Sequence, residues 1–139
     1  MSYKQYGIDG KEISRNDLQD KGVWCEDGVS QEEVFVKKYG GILGLVINPE
    51  KKINPYVPDL LNTKNNVLAD LKTQNTPFFQ AKSRFNYDPQ FTVVFNGKDR
   101  VRYKNQYPDI EIYFAVDWQA VKFENYSGVI EVAPMIGVW

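Results

Sequence analysis

The chain has 139 residues, of which 42% are hydrophobic and 25% are charged, a composition typical of one globular domain over residues 1–139. With 17 basic and 18 acidic residues the net charge is -1, so no overall basic excess points to nucleic acid or to an anionic membrane. The absence of histidine excludes Ser-His-Asp catalysis and histidine-based zinc sites, and the single Cys25 excludes an internal disulfide.

The chain has no segment that predicts membrane insertion. Its longest apolar run, residues 42–47, is far shorter than the roughly 18 residues that a spanning helix needs. The N-terminal residues also lack the apolar stretch of a signal peptide. We therefore expect a soluble, cytoplasmic protein.

The first predicted elements are a helix and a strand. Ser30-Gln31-Glu32-Glu33 has the pattern of a capping box and predicts a short helix over residues 31–39. The Gly40-Gly41 pair is expected to end this helix. The apolar run 42–47 is typical of a buried strand, and Asn48-Pro49 predicts a turn after it.

The following segments predict a hairpin, a second helix and further strands. Strands are predicted over residues 56–61 and 67–73, with a turn at 62–66 between them. Thr76-Pro77 is a suitable start for a helix that continues to about residue 85. The remaining predicted strands cover residues 91–96, 110–118 and 128–133. This order of helix, three strands, helix and further strands predicts an α/β fold, a mixed β-sheet flanked by helices.

The strand predicted over residues 110–118 has a strict alternation. Its apolar residues fall on one face, whereas Glu111, Tyr113 and Asp117 fall on the other. This alternation predicts a β-strand.

The candidate chemistry lies in the predicted hairpin, where Pro58-Asp59 is followed by Asp70-Leu71-Lys72. Residues two apart in a strand share a face, so Asp70 and Lys72 are expected to point together while Leu71 enters the core. Asp59 on the neighbouring strand can join them. Two converging carboxylates form an oxygen site suited to Mg²⁺ or Mn²⁺. As an ammonium, Lys72 would stabilise the negative charge that develops on a phosphate. With a lowered pKa, Lys72 would instead help to activate the attacking water.

The acid-x-Lys tripeptide carries no information by itself, since it also occurs at Asp9-Gly10-Lys11 and Glu50-Lys51-Lys52. Only Asp70-Leu71-Lys72 closes an apolar strand and follows a Pro-Asp pair at hairpin distance. The alternative interpretation is an ordinary exposed strand face whose Asp/Lys pair contributes about 0 to 1 kcal/mol to stability.

Pro58-Asp59 followed by Asp70-Leu71-Lys72 resembles the motif of the PD-(D/E)xK nuclease superfamily, which includes restriction endonucleases, Holliday-junction resolvases and phage exonucleases. The resemblance covers about residues 30–118. It implies a restriction-endonuclease-like fold in which the first helix carries an acid, a hairpin carries the motif and a second helix carries polar groups that face the substrate.

The resemblance also implies further site residues. A glutamate of the first helix often completes the metal site in this family, and here it is Glu32 or Glu33. Glu32 is preferred because it lies on the inward face of the predicted helix, while Glu33 is needed by the capping box. Gln74, two residues beyond Lys72, resembles a polar residue that some members carry after the lysine; otherwise it is a solvent-facing strand end.

A basic segment with interspersed aromatic residues lies within residues 82–106. Basic side chains neutralise phosphates and aromatic rings stack on unpaired bases, so this composition suits nucleic-acid contact, although solvated loops have similar compositions. The expected contacts are Lys82, Arg84, Lys98, Arg100, Arg102 and Lys104, with Phe85, Tyr87, Tyr103 and Tyr107 between or beside them.

These observations predict a small metal-dependent nuclease of phage or mobile-element type that hydrolyses phosphodiester bonds in DNA, in the host cytoplasm if phage-encoded. A homodimer would let so small an enzyme address two strands. The alternative is a non-catalytic nucleic-acid or protein-binding module on the same fold. A third interpretation, a β-rich small-molecule or structural protein, depends only on the aromatic strands.

Overall fold

The computed structural model describes residues 3–14, 22–26 and 28–139. The described residues form a mixed α/β structure, which confirms the fold class at that level. Contacts divide the chain into two compact units. The first unit comprises Met1–Val23, Thr73–Val94 and Ala115–Val138, and the second comprises Trp24–Lys72, Phe95–Phe114 and Trp139. No described helix is long and apolar enough to cross a membrane.

The elements are numbered in chain order. The strands are β1 (Lys4–Gly7), β2 (Glu12–Ile13), β3 (Leu45–Ile47), β4 (Leu60–Asn62), β5 (Val67–Gln74), β6 (Glu111–Asp117), β7 (Ala120–Asn125), β8 (Gly128–Glu131) and β9 (Ile136–Val138). The α-helices are α1 (Gln31–Phe35), α2 (Gly41–Leu43), α3 (Ala81–Phe85) and α4 (Gly97–Gln106). Five of these elements were not predicted from the sequence, namely β1, β2, β7, β9 and α4.

The first unit contains a sheet in the order β2-β1-β7-β8, with antiparallel neighbours. Its core is formed by Phe79, Ala120 and Phe123, with the Phe79 and Phe123 rings stacked at 5.5 Å. Helix α3 begins after Gln80, so the predicted start at Thr76-Pro77 is wrong. The chain there makes tight turns, with the Ala81 amide donating to the Phe78 carbonyl, and these bring Phe79 into the core.

The predicted helix over residues 31–39 is confirmed, but its predicted end is wrong. Ser30 caps α1 by accepting from the Glu33 amide, and a π-helical turn over Val36–Gly40 continues into α2. Gly40 is required by close packing, because a Cβ there would lie 2.7 Å from the Leu45 carbonyl oxygen. The helix ends only at Gly44, which has a left-handed φ of 74°. As a result β3 is shorter than the predicted strand 42–47.

The predicted hairpin is confirmed in the second unit, but its first strand begins at Leu60 and not at residue 56, so Asp59 directly precedes β4. Strands β3, β4 and β5 are consecutive antiparallel neighbours, with Val46 paired to Leu61 and Leu60 paired to Ala69. The strand order of this sheet is β3-β4-β5-β6-β9. The β4–β5 hairpin brings Asp59, just before β4, next to Asp70 in β5.

One strand prediction is wrong. Residues 91–96 do not form a strand; Asp88 caps a 3₁₀ turn that ends at Phe91, and the Val94 amide and carbonyl bind the Gln74 side chain instead of a neighbouring strand. The strand predicted over residues 110–118 is confirmed as β6. Within the second unit Tyr113 packs on Phe35 at 6.3 Å and Phe114 on Phe95 at 6.1 Å, so both faces of the strand are covered.

An aromatic cluster forms the centre of the second unit. Phe35 is fully buried and packs against Trp24 at 5.6 Å, Tyr39 at 5.8 Å and Tyr113 at 6.3 Å between ring centroids. These contacts hold α1 against β6. Because α1 carries Glu32 next to the hairpin, the cluster also positions the candidate site.

Replacing Phe35 by alanine should lower the free energy of unfolding by about 3 kcal/mol, since a fully buried ring would leave a cavity. Ile42→Ala, at an exposed position, is the matched control and should change stability by less than about 0.5 kcal/mol. Urea denaturation followed by circular dichroism measures both. Equal stability of the two variants would contradict the assigned core.

Candidate active site

The β4–β5 hairpin places Asp59 opposite Asp70. Leu60 of β4 pairs with Ala69 of β5 in an antiparallel register. Asp59, directly before Leu60, therefore faces Asp70, directly after Ala69. Their opposition brings the two carboxyl groups close enough that each shifts the pKa of the other, and the Leu71 amide donates to Asp59 Oδ2 at 3.4 Å. The structure thus brings together the two carboxylates that the sequence singles out.

Buried Asn48 holds the Pro58-Asp59 segment in position. Its Nδ2 donates to the Pro58 carbonyl at 2.9 Å, and its backbone amide donates to the Asp59 carbonyl at 2.9 Å. Asn48 also caps the 3₁₀ turn Pro49–Lys52, by accepting from the Glu50 amide at 3.1 Å. This turn carries Lys51, whose Nζ forms an ion pair with Asp59 Oδ1.

Asp70 is the most enclosed acid of the site, with 4% of its surface exposed. Its Oδ2 accepts from the Tyr103 hydroxyl at 2.5 Å and forms an ion pair with Lys72 Nζ at 2.9 Å. Burial acts to raise the pKa of Asp70, but hydrogen bonds with Asp59, Tyr103 and Lys72 outweigh it and lower the pKa. Asp70 is therefore a carboxylate at neutral pH.

Asp59 has the opposite electrostatic environment. Burial, the hydrogen bond with Asp70 and the negative charges of Asp70 and Glu32 raise the pKa of Asp59 to about 6, against the lowering effect of Lys51. Half-buried Glu32 is thus close enough to act on the hairpin acids, whereas Glu33 is exposed. The local excess of negative charge is what a divalent cation would neutralise.

Lys72 lies between two acids, as the shared strand face of Asp70 and Lys72 predicts. Its Nζ contacts Asp70 Oδ2 at 2.9 Å and Asp99 Oδ2 at 2.8 Å, and it lies 5.9 Å from the ring centroids of both Phe95 and Tyr103. Burial acts to lower the pKa of Lys72, but the hydrogen bonds to Asp99 and Asp70 raise it. The ammonium role is favoured over that of a neutral base.

Helix α4 supplies Asp99, which sequence reasoning missed, and Tyr103, whose contact with Asp70 it did not predict. Asp99, Arg102 and Tyr103 are three and four positions apart, so they share one helix face. Burial and the hydrogen bond to Asp70 raise the pKa of Tyr103 to about 12, so the hydroxyl stays protonated and donates. The signal for this helix was Asn96 as N-cap with Asp99 in the first turn, a common N-terminal pattern.

Arg102 is the predicted nucleic-acid contact that lies closest to the acids. Its guanidinium lies over the Tyr103 ring at 4.7 Å and donates to the Tyr103 hydroxyl at 3.0 Å and to the Tyr56 carbonyl at 3.4 Å. The Tyr103 hydroxyl therefore accepts a hydrogen bond from Arg102 and donates one to Asp70. The other predicted contacts on α4, which are Lys98, Arg100 and Lys104, are exposed.

The remaining predicted site residues belong to the first unit. Both polar atoms of the Gln74 side chain bind the Val94 backbone, at 2.6 Å to its carbonyl and 3.3 Å from its amide. These two hydrogen bonds fix the Gln74 side chain to the backbone of Val94. Lys82 and Arg84 are exposed on α3, where Lys82 Nζ donates to Asn86 Oδ1 at 2.6 Å.

The donor set fits a hard divalent cation held by few protein ligands. Asp59 and Asp70 offer two neighbouring carboxylates, which is the number Mg²⁺ takes from a protein when waters and phosphate oxygens complete its coordination. Within residues 3–14, 22–26 and 28–139, no group of three or more His, Cys, Asp or Glu side chains is close enough to form a full protein cage. The arrangement therefore suits a cation shared with a phosphate substrate.

Comparison with protein-family models gives no match, and no curated protein or solved structure is significantly similar to the chain. The function is therefore inferred from the residues and contacts of the site.

Asp59 should make the stability of the fold pH-dependent. Its pKa of about 6 exceeds the ordinary 3.8, so the folded state binds the additional proton and this stabilising contribution is lost as the pH rises through 6. The free energy of unfolding should fall by about 1 kcal/mol from pH 5 to pH 7. Asp70 and Glu111 have lowered pKa values, so their protonation affects stability below this window.

Urea denaturation at pH 5 and pH 7 measures this effect, with Asp59→Asn as the comparison. The variant has no carboxyl to titrate at position 59, so its stability should be nearly the same at the two pH values. A wild type and a variant with the same pH dependence would show that Asp59 is not the responsible group.

Proposed function

We propose that this chain is a metal-dependent nuclease of PD-(D/E)xK type that hydrolyses phosphodiester bonds in DNA. One observation carries the proposal: the hairpin register sets Asp59 opposite Asp70, and Lys72 Nζ is 2.9 Å from Asp70 Oδ2. An incidental exposed Asp/Lys pair would not be expected to include an acid as buried as Asp70, with 4% exposure, held by a tyrosine hydroxyl.

The element order supports a restriction-endonuclease-like topology. Helix α1 with Glu32 precedes the three antiparallel strands β3, β4 and β5, helices α3 and α4 follow, and β6 comes next. This order agrees with the helix, motif-bearing hairpin, second helix and flanking strand that the resemblance implies. The second helix with polar groups is best matched by α4, which directs Tyr103 and Asp99 to the motif residues.

Asp59 and Asp70 would hold Mg²⁺ or Mn²⁺, and the negative charge of nearby Glu32 would favour the bound cation. When bound, the ion would supply Lewis acidity to the phosphate and lower the pKa of water. Tyr103 and Lys72 hold the Asp70 carboxylate in position through a hydrogen bond and an ion pair. Asn48 holds Asp59 in position through a hydrogen bond to its backbone carbonyl.

Lys72 would act on the phosphate as a fixed cation. An ammonium has three N–H donors, and Asp70 and Asp99 account for two of them. The third would donate to a non-bridging phosphate oxygen, where negative charge increases as water oxygen adds to phosphorus and the bond to the leaving oxygen breaks. The products are a phosphate monoester and a hydroxyl group.

Cleavage of fluorescently labelled linear, nicked and branched DNA with Mg²⁺ or Mn²⁺ tests the proposal. The wild type should cleave in an EDTA-sensitive manner, and Asp70→Asn and Lys72→Met should each lower the rate by about 100-fold or more. The matched controls Asp109→Asn and Lys38→Met, at exposed positions, should cleave like the wild type. Circular dichroism verifies that each variant is folded.

Cleavage that persists in EDTA, or at an unchanged rate in folded Asp70→Asn, would contradict the proposal. DNA binding without cleavage under any of these conditions would instead favour the non-catalytic binding module.

Lys51 should compete with a metal ion at Asp59, because its ammonium forms an ion pair with Asp59 Oδ1. Lys51→Met removes this competition and the charge repulsion, and should strengthen Mn²⁺ binding by about tenfold. Lys52→Met, at the exposed next position, is the matched control and should bind like the wild type. Manganese binding by electron paramagnetic resonance measures all three proteins; equal or weaker binding by Lys51→Met would contradict the assignment.

A further inference from the structure

Three aromatic rings form a continuous ladder on the surface of the first unit. The rings of Phe78 and Phe85 meet edge to face at 6.1 Å, and those of Phe85 and Tyr87 stack at 6.3 Å with 24° between their planes. Phe85 is 59% exposed and Tyr87 is 61% exposed. We call Phe78, Phe85 and Tyr87 the aromatic ladder.

The fold holds the aromatic ladder in place from beneath. Phe79, next to Phe78, enters the core and stacks on Phe123, and Ala81 at the start of α3 is fully buried. The Tyr87 amide donates to the Ala81 carbonyl at 3.3 Å, which turns the chain back across the helix. The rings are therefore presented outward by an anchored backbone, although burying them would stabilise the unit by the hydrophobic effect.

Two basic side chains lie beside the aromatic ladder, and the nearest acid in the sequence, Asp88, follows Tyr87 and caps the next turn. Residues 75–87 contain two basic residues and no acid. Lys82 lies three positions before Phe85 in α3, which places both on one side of the helix, and Arg84 is exposed beside it. Lys82 Nζ donates to Asn86 Oδ1, but neither base forms an ion pair within the described residues, so neither positive charge is neutralised by a described acid.

We propose that the aromatic ladder binds unpaired bases of a single-stranded nucleic acid, with Lys82 and Arg84 contacting its phosphates. Bases inside a duplex hide their faces in the stack, so exposed aromatic rings select single strands. The inference extends the proposed nuclease function by naming a substrate class, DNA with a single-stranded segment. The binding itself requires no cleavage.

Fluorescence anisotropy in EDTA tests the inference with the full chain and no cleavage. The probes are a labelled 12-nucleotide thymidine strand, an abasic strand of equal length and a 12-base-pair duplex. Phe85→Ala and Tyr87→Ala should each weaken binding of the thymidine strand by about tenfold, in the range known for loss of one base-stacking ring. Tyr87→Phe keeps the ring and should bind like the wild type.

The matched control is Tyr126→Ala, since Tyr126 is 77% exposed in the turn between β7 and β8. It should leave binding unchanged. The abasic strand should bind the wild type and Tyr87→Ala equally, because it offers phosphates but no bases. Lower ionic strength should strengthen binding of all three probes through Lys82 and Arg84.

The inference is overturned if Phe85→Ala and Tyr87→Ala bind the thymidine strand as tightly as the wild type does. It is equally overturned if the two variants lose as much affinity for the duplex as for the thymidine strand. It is also overturned if sedimentation shows that the rings bury themselves in a dimer that Phe85→Ala dissociates. Because these measurements use EDTA, they are independent of metal-dependent cleavage. Stacking without cleavage would contradict only the nuclease, and cleavage without stacking would contradict only this inference.

Discussion

The close approach of Asp59 and Asp70 is the interaction around which the second unit is organised. Two acids at this distance repel each other, and the structure offsets the repulsion with Lys51 on one side and with Lys72 and Tyr103 on the other. The pKa values of the two acids are consequently driven apart, with that of Asp59 raised to about 6 and that of Asp70 lowered. Such pairs occur where chemistry requires concentrated charge more often than where stability alone is selected.

The surrounding fold explains how the pair is maintained. Asn48 holds the Asp59 segment through its backbone, the β4–β5 register sets Asp70 opposite, and α4 presents Tyr103 and Asp99. Each support comes from a different segment of the chain. The site is therefore a property of the folded unit and would not exist in an isolated hairpin.

Local patterns were sufficient for part of this arrangement. The capping box at Ser30, the Pro58-Asp59 position and the two-residue period of Asp70 and Lys72 each depend on neighbouring residues, and each is found in the structure. Other features depend on contacts that are distant in sequence. Gly40 lies too close to the Leu45 carbonyl oxygen to carry a Cβ, β6 is covered on both faces by Phe35 and Phe95, and Asp99 reaches Lys72 from 27 residues away.

The central claim is that Asp59 and Asp70 share one divalent cation. Manganese-induced line broadening in ¹H–¹⁵N spectra tests it most directly, because paramagnetic relaxation acts only within a short distance of the ion. The account predicts that substoichiometric Mn²⁺ broadens the amide resonances of Asp59, Asp70 and Leu71 first, and that Asp70→Asn removes this effect. Broadening centred elsewhere, or unchanged in the variant, would contradict it.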